Sequence, residues 1–317
     1  MDKLPEAEAT IDRAIAILDP LIGPGEGALE DLAPEVADEF ARLAIRAQMV
    51  RAWIARGRGD LGRAEQVYRH AISLVRERLG ETDRTMIDAL NGLGVVHKFQ
   101  GRYDEAEPLY RRAFELLEAA GDTEGEDAAT LFHNLGGLAH SRGDFAAGEP
   151  LARRSVELRE KLLGRDHPKT AADRAAWGAL LEGLERNDEA EKAYLEALRV
   201  FEDKLGPQSL EVAATLTSLG SVKDAKGELV EAEASYRRAL DIREQTLGSG
   251  HPDLGMTLNN LAMLLSEQRP AEALALATRA HSIFRTALGP DHPHTETAAE
   301  NQAYLESKRT GREASDK

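Results

Sequence analysis

The chain has 317 residues, no Cys, and 56 acidic against 40 basic side chains, for a formal charge of −16. Without Cys there is no disulfide framework, no thiolate metal site and no thiol nucleophile, and the acidic balance opposes the basic footprint of a nucleic-acid binder. The N-terminal "MDKLPEAEATIDRAIAILDPLIG" lacks the basic start and unbroken apolar core of a signal peptide. No stretch reaches the ~18 uncharged apolar residues of a membrane span, so a cytoplasmic location is expected.

In chain order, residues 5–19 read as one amphipathic helix, because "EAEATIDRAIAIL" repeats the pattern of "EAEPLYRRAFELL" further on. "GPGEG" at Gly23–Gly27 is an irregular break. From residue 36 to 289 small residues then recur at a 42-residue step: Ala52, Gly94, Gly136, Gly178, Gly220 and Ala262. A second series runs Ala64, Ala106, Gly148, Ala190, Ala232 and Ala273, and a third lies seven residues after each of these. Small residues at fixed places in helical segments mark close approach of two helices, and the intervening Tyr110, Ala113, Phe114 and Leu117 follow a helical apolar period. Gly80, Gly121, Gly164, Gly206, Gly248 and Gly289 suit the left-handed residue that ends a helix. Pro168, Pro252 and Pro293 then stand near the next first helical position, where a missing N–H costs nothing. Each unit is therefore two antiparallel helices, A then B, joined by turns such as "QGRYDEAE". "HTETAAENQAYLESK" reads as a lone A helix with the polar outer face of a terminal cap.

The unit resembles the tetratricopeptide repeat, which has a shorter 34-residue period. The 42-residue period, with "GRYDEAEPLYRRAFEL" (Gly101–Leu116) and "LGSGHPDLGMTLNNLAMLL" (Leu247–Leu265), is similar to the kinesin light chain subtype. The resemblance implies an all-α, right-handed superhelical solenoid of six helical pairs plus partial caps. It is expected to form one domain over 1–309: a half-repeat and loop at 5–35, six repeats at 36–289, and a capping helix at 290–309. Residues 310–317 are expected to be a disordered tail.

The resemblance also implies that A helices line a concave groove, with residues −6, −3, −2, +1 and +4 from each small mark facing into it. That register selects Arg46, Met49, Trp53 and Arg56, then Asp88, Asn91, Val95 and Lys98, then Thr130, His133, Asn134 and His140. Further on it selects Thr217, Ser218, Ser221 and Asp224, then Asn259, Asn260, Met263 and Ser266, then Glu300, Asn301 and Tyr304. An Asn amide carries donor and acceptor together and can pair with any peptide backbone. Ala175 and Ala176 interrupt that series. Arg46, Arg56 and Lys98 lie in the N-terminal half, while Asp224, Glu267 and Glu300 lie in the C-terminal half, so an acidic segment would sit better on the first. Gly148 and Ala152, where Ala and Tyr are usual, predict looser packing in the third pair.

Other motifs are weaker. "GRGDLG" at Gly57–Gly62 has nucleotide-loop spacing but falls at an A–B turn. His167, His251 and His292 share one place before a helix and read as cap residues, not metal ligands. His133 and His140 read as groove lining, and Asp224 with Glu267 lack a pocket that would raise one pKa. The expected function is a non-catalytic scaffold or adaptor holding a protein or peptide, with no cofactor, no metal and no nucleic acid. The alternative is a regulatory or cytoskeleton-linking subunit that uses its convex face.

Overall fold

A computed structural model describes residues 10–13, 15–17 and 33–315. The described residues form helices and no strand. Helix α1 is described at 10–13 and 15–17, within the half-repeat expected at 5–19, and the break at 23–27 lies outside the described residues. The next six helices are α2 (Pro34–Gly57), α3 (Leu61–Arg78), α4 (Thr85–Phe99), α5 (Tyr103–Ala119), α6 (Glu126–Ser141) and α7 (Phe145–Leu163). Then come α8 (Pro168–Gly183), α9 (Asn187–Leu205), α10 (Leu210–Ala225), α11 (Leu229–Leu247), α12 (Pro252–Leu265) and α13 (Pro270–Leu288). From α2 onward even numbers are A helices and odd numbers B helices, which makes six pairs; α14 (Pro293–Ser315) follows. This last helix continues past residue 309, so most of the expected disordered tail is helical. The chain divides into two compact units, 1–158 and 159–317, with the division inside α7.

The first unit holds one continuous apolar core from Ala41 to Leu158. The second holds three clusters built on Tyr194 and Phe201, on Tyr236 and Leu261, and on Leu254 and Leu258. The small marks work through a ring on the paired B helix. A Cβ on Gly94 would stand 2.6 Å from the Tyr110 ring, one on Gly178 2.8 Å from Tyr194, and one on Gly220 2.7 Å from Tyr236. Close-packed interiors leave no slack for such an atom. The third pair departs from this and corrects the expectation of loose packing. Ala152 stands where the ring would be, and a Cβ on Gly136 would lie 3.2 Å from the Ala152 backbone N. At this point the α7 backbone itself stands close against α6. Ser155 Oγ fastens the contact by donating to Ala129 O at 3.0 Å.

The A–B turns share one geometry. Gly59, Gly101, Gly143 and Gly227 have φ between 73° and 81°, and the following residue's N–H bonds back to the helix end, as in Arg102 N to His97 O at 2.9 Å. In the fourth pair Glu185 takes the same place at φ 59°, the one non-Gly described residue with positive φ. The next helices open on histidines acting as caps. Nδ1 of His167, His251 and His292 accepts from the N–H of Lys169, Asp253 and His294 at 3.1, 3.2 and 3.1 Å.

Buried charges occur in both units. Burial raises the Glu65 carboxyl of α3, but hydrogen bonds from Gln100 at 2.9 Å and Arg102 at 2.9 Å, with the charge of Arg69, outweigh it and hold the pKa at about 2. In the second unit Arg159 Nε pairs with Asp173 Oδ2 at 2.8 Å, with exposures of 7% and 3%.

Glu185→Gly should stabilise the fold by about 0.5–1 kcal/mol, because the left-handed strain it relieves exceeds the entropy glycine adds to the unfolded chain; urea denaturation checks it. Ala152→Tyr should cost about 1–3 kcal/mol, as overpacking does, where a loose third pair would gain stability from the ring. Glu65 has a folded pKa of about 2 against its usual 4.5. Its stabilisation is present above pH 4.5 and is lost as pH falls toward 2. The stability gap between wild type and Glu65→Gln should therefore close across that window.

Candidate functional site

The expected groove residues divide between the two units. In the first, a cavity of about 350 Å³ is lined by Arg46, Met49, Val50 and Trp53 of α2, Tyr68 of α3 and Asp88 of α4. Trp53 is 55% exposed, whereas Met49 is nearly covered. The exposed indole, with valine and methionine beside it, makes a contiguous apolar surface rather than a scattered surface residue. Burial pushes the Asp88 carboxyl up, Asp127 adds to this, and Arg46 and Arg84 oppose it.

Arg56 and Lys98 converge beside this cavity. Arg56 Cζ lies 5.7 Å and Lys98 Nζ 5.9 Å from the ring centroid of Phe99, which is exposed. Burial and then the Arg56 charge push the Lys98 ammonium down. Arg46, Arg56 and Lys98 make no ion pair with any described residue, while Arg42, Arg84, Arg102, Arg111, Arg112 and Arg142 of the same unit all do. Phe99 and Val50 were missed from the sequence. Val50 sits two residues before Ala52, within the groove register; Phe99 lies one residue beyond it, and only its apolar character next to a turn could have flagged it.

The asparagines are partly spent on each other. Asn134 Nδ2 of α6 donates to Asn91 Oδ1 of α4 at 2.6 Å, and Asn134 is buried. Val95 packs on the core. His133 is half-buried, and exposed His140 sets its ring edge-on to Phe145 at 5.5 Å between centroids.

In the second unit Asn301 Nδ2 of α14 donates to Asn259 Oδ1 of α12 at 3.0 Å. Thr217 Oγ1 of α10 is turned inward: it donates to Ala213 O at 3.0 Å and accepts from Arg243 Nη1 at 2.7 Å. Ser221 and Asn260 hydrogen-bond the Tyr236 hydroxyl, whose pKa is raised by burial and then by the charge of Asp224. Met263 is half-buried. Glu267 pairs with Lys308, so it is not half of a carboxylate dyad with Asp224.

The sequence profile described as tetratricopeptide repeat matches residues 44–119, 127–203, 174–245 and 211–286. No curated protein sequence matches the chain significantly. Among solved structures it is similar to BtubC (BKLC) from P. vanneervenii, with 22% identity over 79% of this chain and 94% of that one, and a TM-score of 0.56. It is also similar to a putative kinesin light chain from Podosopora anserina with nearly identical TPR-like repeats, with 19% identity over 65% and 98% and a TM-score of 0.53. A signal transduction ATPase with a tetratricopeptide repeat sensor, from Pyrococcus horikoshii, matches at 12% identity over 87% of this chain and 41% of that one, with a TM-score of 0.61. At these identities the likeness is one of fold.

Proposed function

We propose that this chain, which belongs to the tetratricopeptide repeat family, is a non-catalytic scaffold or adaptor that holds a peptide or protein segment on its A-helix faces. The segment sets an apolar side chain into the Trp53 cavity and acidic side chains against Arg46, Arg56 and Lys98. What supports this most is the absence of ion pairs at those three cations in a chain of charge −16. Internal carboxylates are plentiful, and Arg42, Arg84, Arg102, Arg111, Arg112 and Arg142 have each taken one. Cations left without a partner beside an open apolar cavity offer both parts of a recognition surface, a hydrophobic anchor point and complementary charge.

The B-helix faces differ. Arg111 pairs with Glu107 at 2.6 Å, Arg112 with Glu115 at 3.0 Å, Arg237 with Glu272 at 2.6 Å and Arg238 with Glu202 at 2.6 Å. Their charge is neutralised within the chain, which weighs against a regulatory or cytoskeleton-linking subunit held through that side. No helix among the described residues is long and apolar enough to cross a membrane, and a cytoplasmic setting suits a peptide adaptor.

Fluorescein-labelled peptides carrying Asp and Glu around a large apolar residue provide the test, with Lys-substituted counterparts as controls. The acidic set should bind more tightly, and an Arg46→Glu/Arg56→Glu/Lys98→Glu variant should lose about 10-fold or more in affinity, in a salt-dependent way. Reversal of Arg111, Arg112, Arg237 and Arg238 should leave binding unchanged. The opposite pattern would favour the B-helix reading.

A further inference from the structure

The second unit contains a buried cation without a counter-ion. Arg243, on α11, is 9% exposed. Its Nη1 donates to Thr217 Oγ1 of α10 at 2.7 Å and to Thr257 Oγ1 of α12. Those are its hydrogen bonds among the described residues: Nε and Nη2 donate to none, and both keep contact with solvent. No described carboxylate pairs with it. Asp253, at the start of α12, reaches it only as a distant charge. Burial pushes the guanidinium below its usual pKa, as expected where nothing opposes the desolvation.

The repeat provides a comparison inside the same unit. Arg159 precedes Arg243 by two 42-residue steps, and Asp173 precedes Thr257 by the same two steps. At the earlier junction, between α7 and α8, the arginine is neutralised by Asp173 at 2.8 Å. At the middle junction, between α9 and α10, Phe201 and Thr215 occupy the two places and no charge is buried. At the junction of α11 and α12 the arginine is present and its carboxylate is replaced by a threonine. A buried charge left without an opposite one is costly, so a retained arginine without its acid is a vacancy for an anion.

The chemistry of the open side is specific. Nη1 is held by the two threonines, which leaves the Nε–Nη2 edge, with two parallel N–H groups. That edge matches the two oxygens of a carboxylate. Thr217 belongs to the row of A-helix positions that continues through Asn259 and Asn301, one repeat step apart each time. We propose that Arg243, held between Thr217 and Thr257, is the floor of a carboxylate-binding site on the A-helix side of the second unit. That the carboxylate belongs to a docked polypeptide, as an Asp or Glu side chain or a chain terminus, rests on the function proposed above; the site itself does not.

The test uses the whole chain labelled with 15N-arginine and titrated with acetate against chloride at constant ionic strength and pH 7. One Nε–Hε resonance should shift and saturate in the wild type, and Arg243→Met should lack both that resonance and any acetate-dependent rise in Tm. Thr257→Asp restores the internal partner found at Arg159, so it should raise the Tm in chloride and weaken acetate binding by about tenfold or more. N-acetylglycine and N-acetylglutamic acid α-amide then separate a chain terminus from an acidic side chain. The Arg46→Glu/Arg56→Glu/Lys98→Glu variant should respond to acetate as the wild type does, so failure of the peptide reading leaves this result standing. A wild type without a saturating shift, or an equal acetate response in Arg243→Met, overturns the proposal; should Thr257→Asp fail to fold, Arg243→Met alone decides.

Discussion

Each helical pair is set by how closely its B helix approaches the small residue on its A helix. In three of the pairs the object that approaches is a tyrosine ring, and the A-helix residue beneath it is glycine. The ring buries a large apolar area in the place where a side chain would otherwise stand, so one residue choice fixes both the separation and the rotation of the two helices. The other pairs differ: in the first the mark is Ala52, and the ring of Tyr68 lies against Gly92 of α4, where a Cβ would stand 2.2 Å from it. In the third pair the place of the ring is taken by Ala152, whose backbone approaches Gly136 directly; in the sixth it is taken by buried Ala277, which shares an apolar cluster with the mark Ala262.

This spacing leaves the exposed faces of the A and B helices with different electrostatic roles. The B-helix cations Arg111, Arg112, Arg237 and Arg238 are bound to acids on their own or a neighbouring B helix, as Arg237 is to Glu233 and Glu272. Such exposed pairs add little stability each, but they leave the surface locally neutral and unattractive to charged partners. Of the α2 and α4 cations, Arg56 and Lys98 stand over Phe99 and Arg46 lines the Trp53 cavity with Asp88; none of the three makes an ion pair with a described residue. A chain with a large excess of acid could have neutralised them and does not.

The period, the helix ends and the small marks were legible in the sequence because each is a local rule repeated at a fixed interval. The cap function of His167, His251 and His292 was legible for the same reason. What was not legible depends on pairs of positions on different helices. Asn91 and Asn134 both fall in the groove register, but their bond to each other depends on the stagger of α4 against α6. Thr217 is also in register, yet it turns inward because Arg243 reaches it from below. In the third pair a missing ring is not a missing volume, because Ala152 brings the α7 backbone against Gly136. A helix backbone that can translate closes such a gap at small cost.

The asparagine bonds have a direction. In each unit the amide nearer the C-terminus donates and the one nearer the N-terminus accepts: Asn134 to Asn91 in the first, Asn301 to Asn259 in the second. What remains is then unequal: two N–H groups and one lone pair at the N-terminal member, one N–H group and two lone pairs at the C-terminal one. A polypeptide strand is itself polar, with its own N–H and C=O groups in fixed order, so reversing it exchanges every donor for an acceptor. Each bonded pair likewise carries a fixed imbalance of donors and acceptors between its two members, a property that the same asparagines, left independent, would lack.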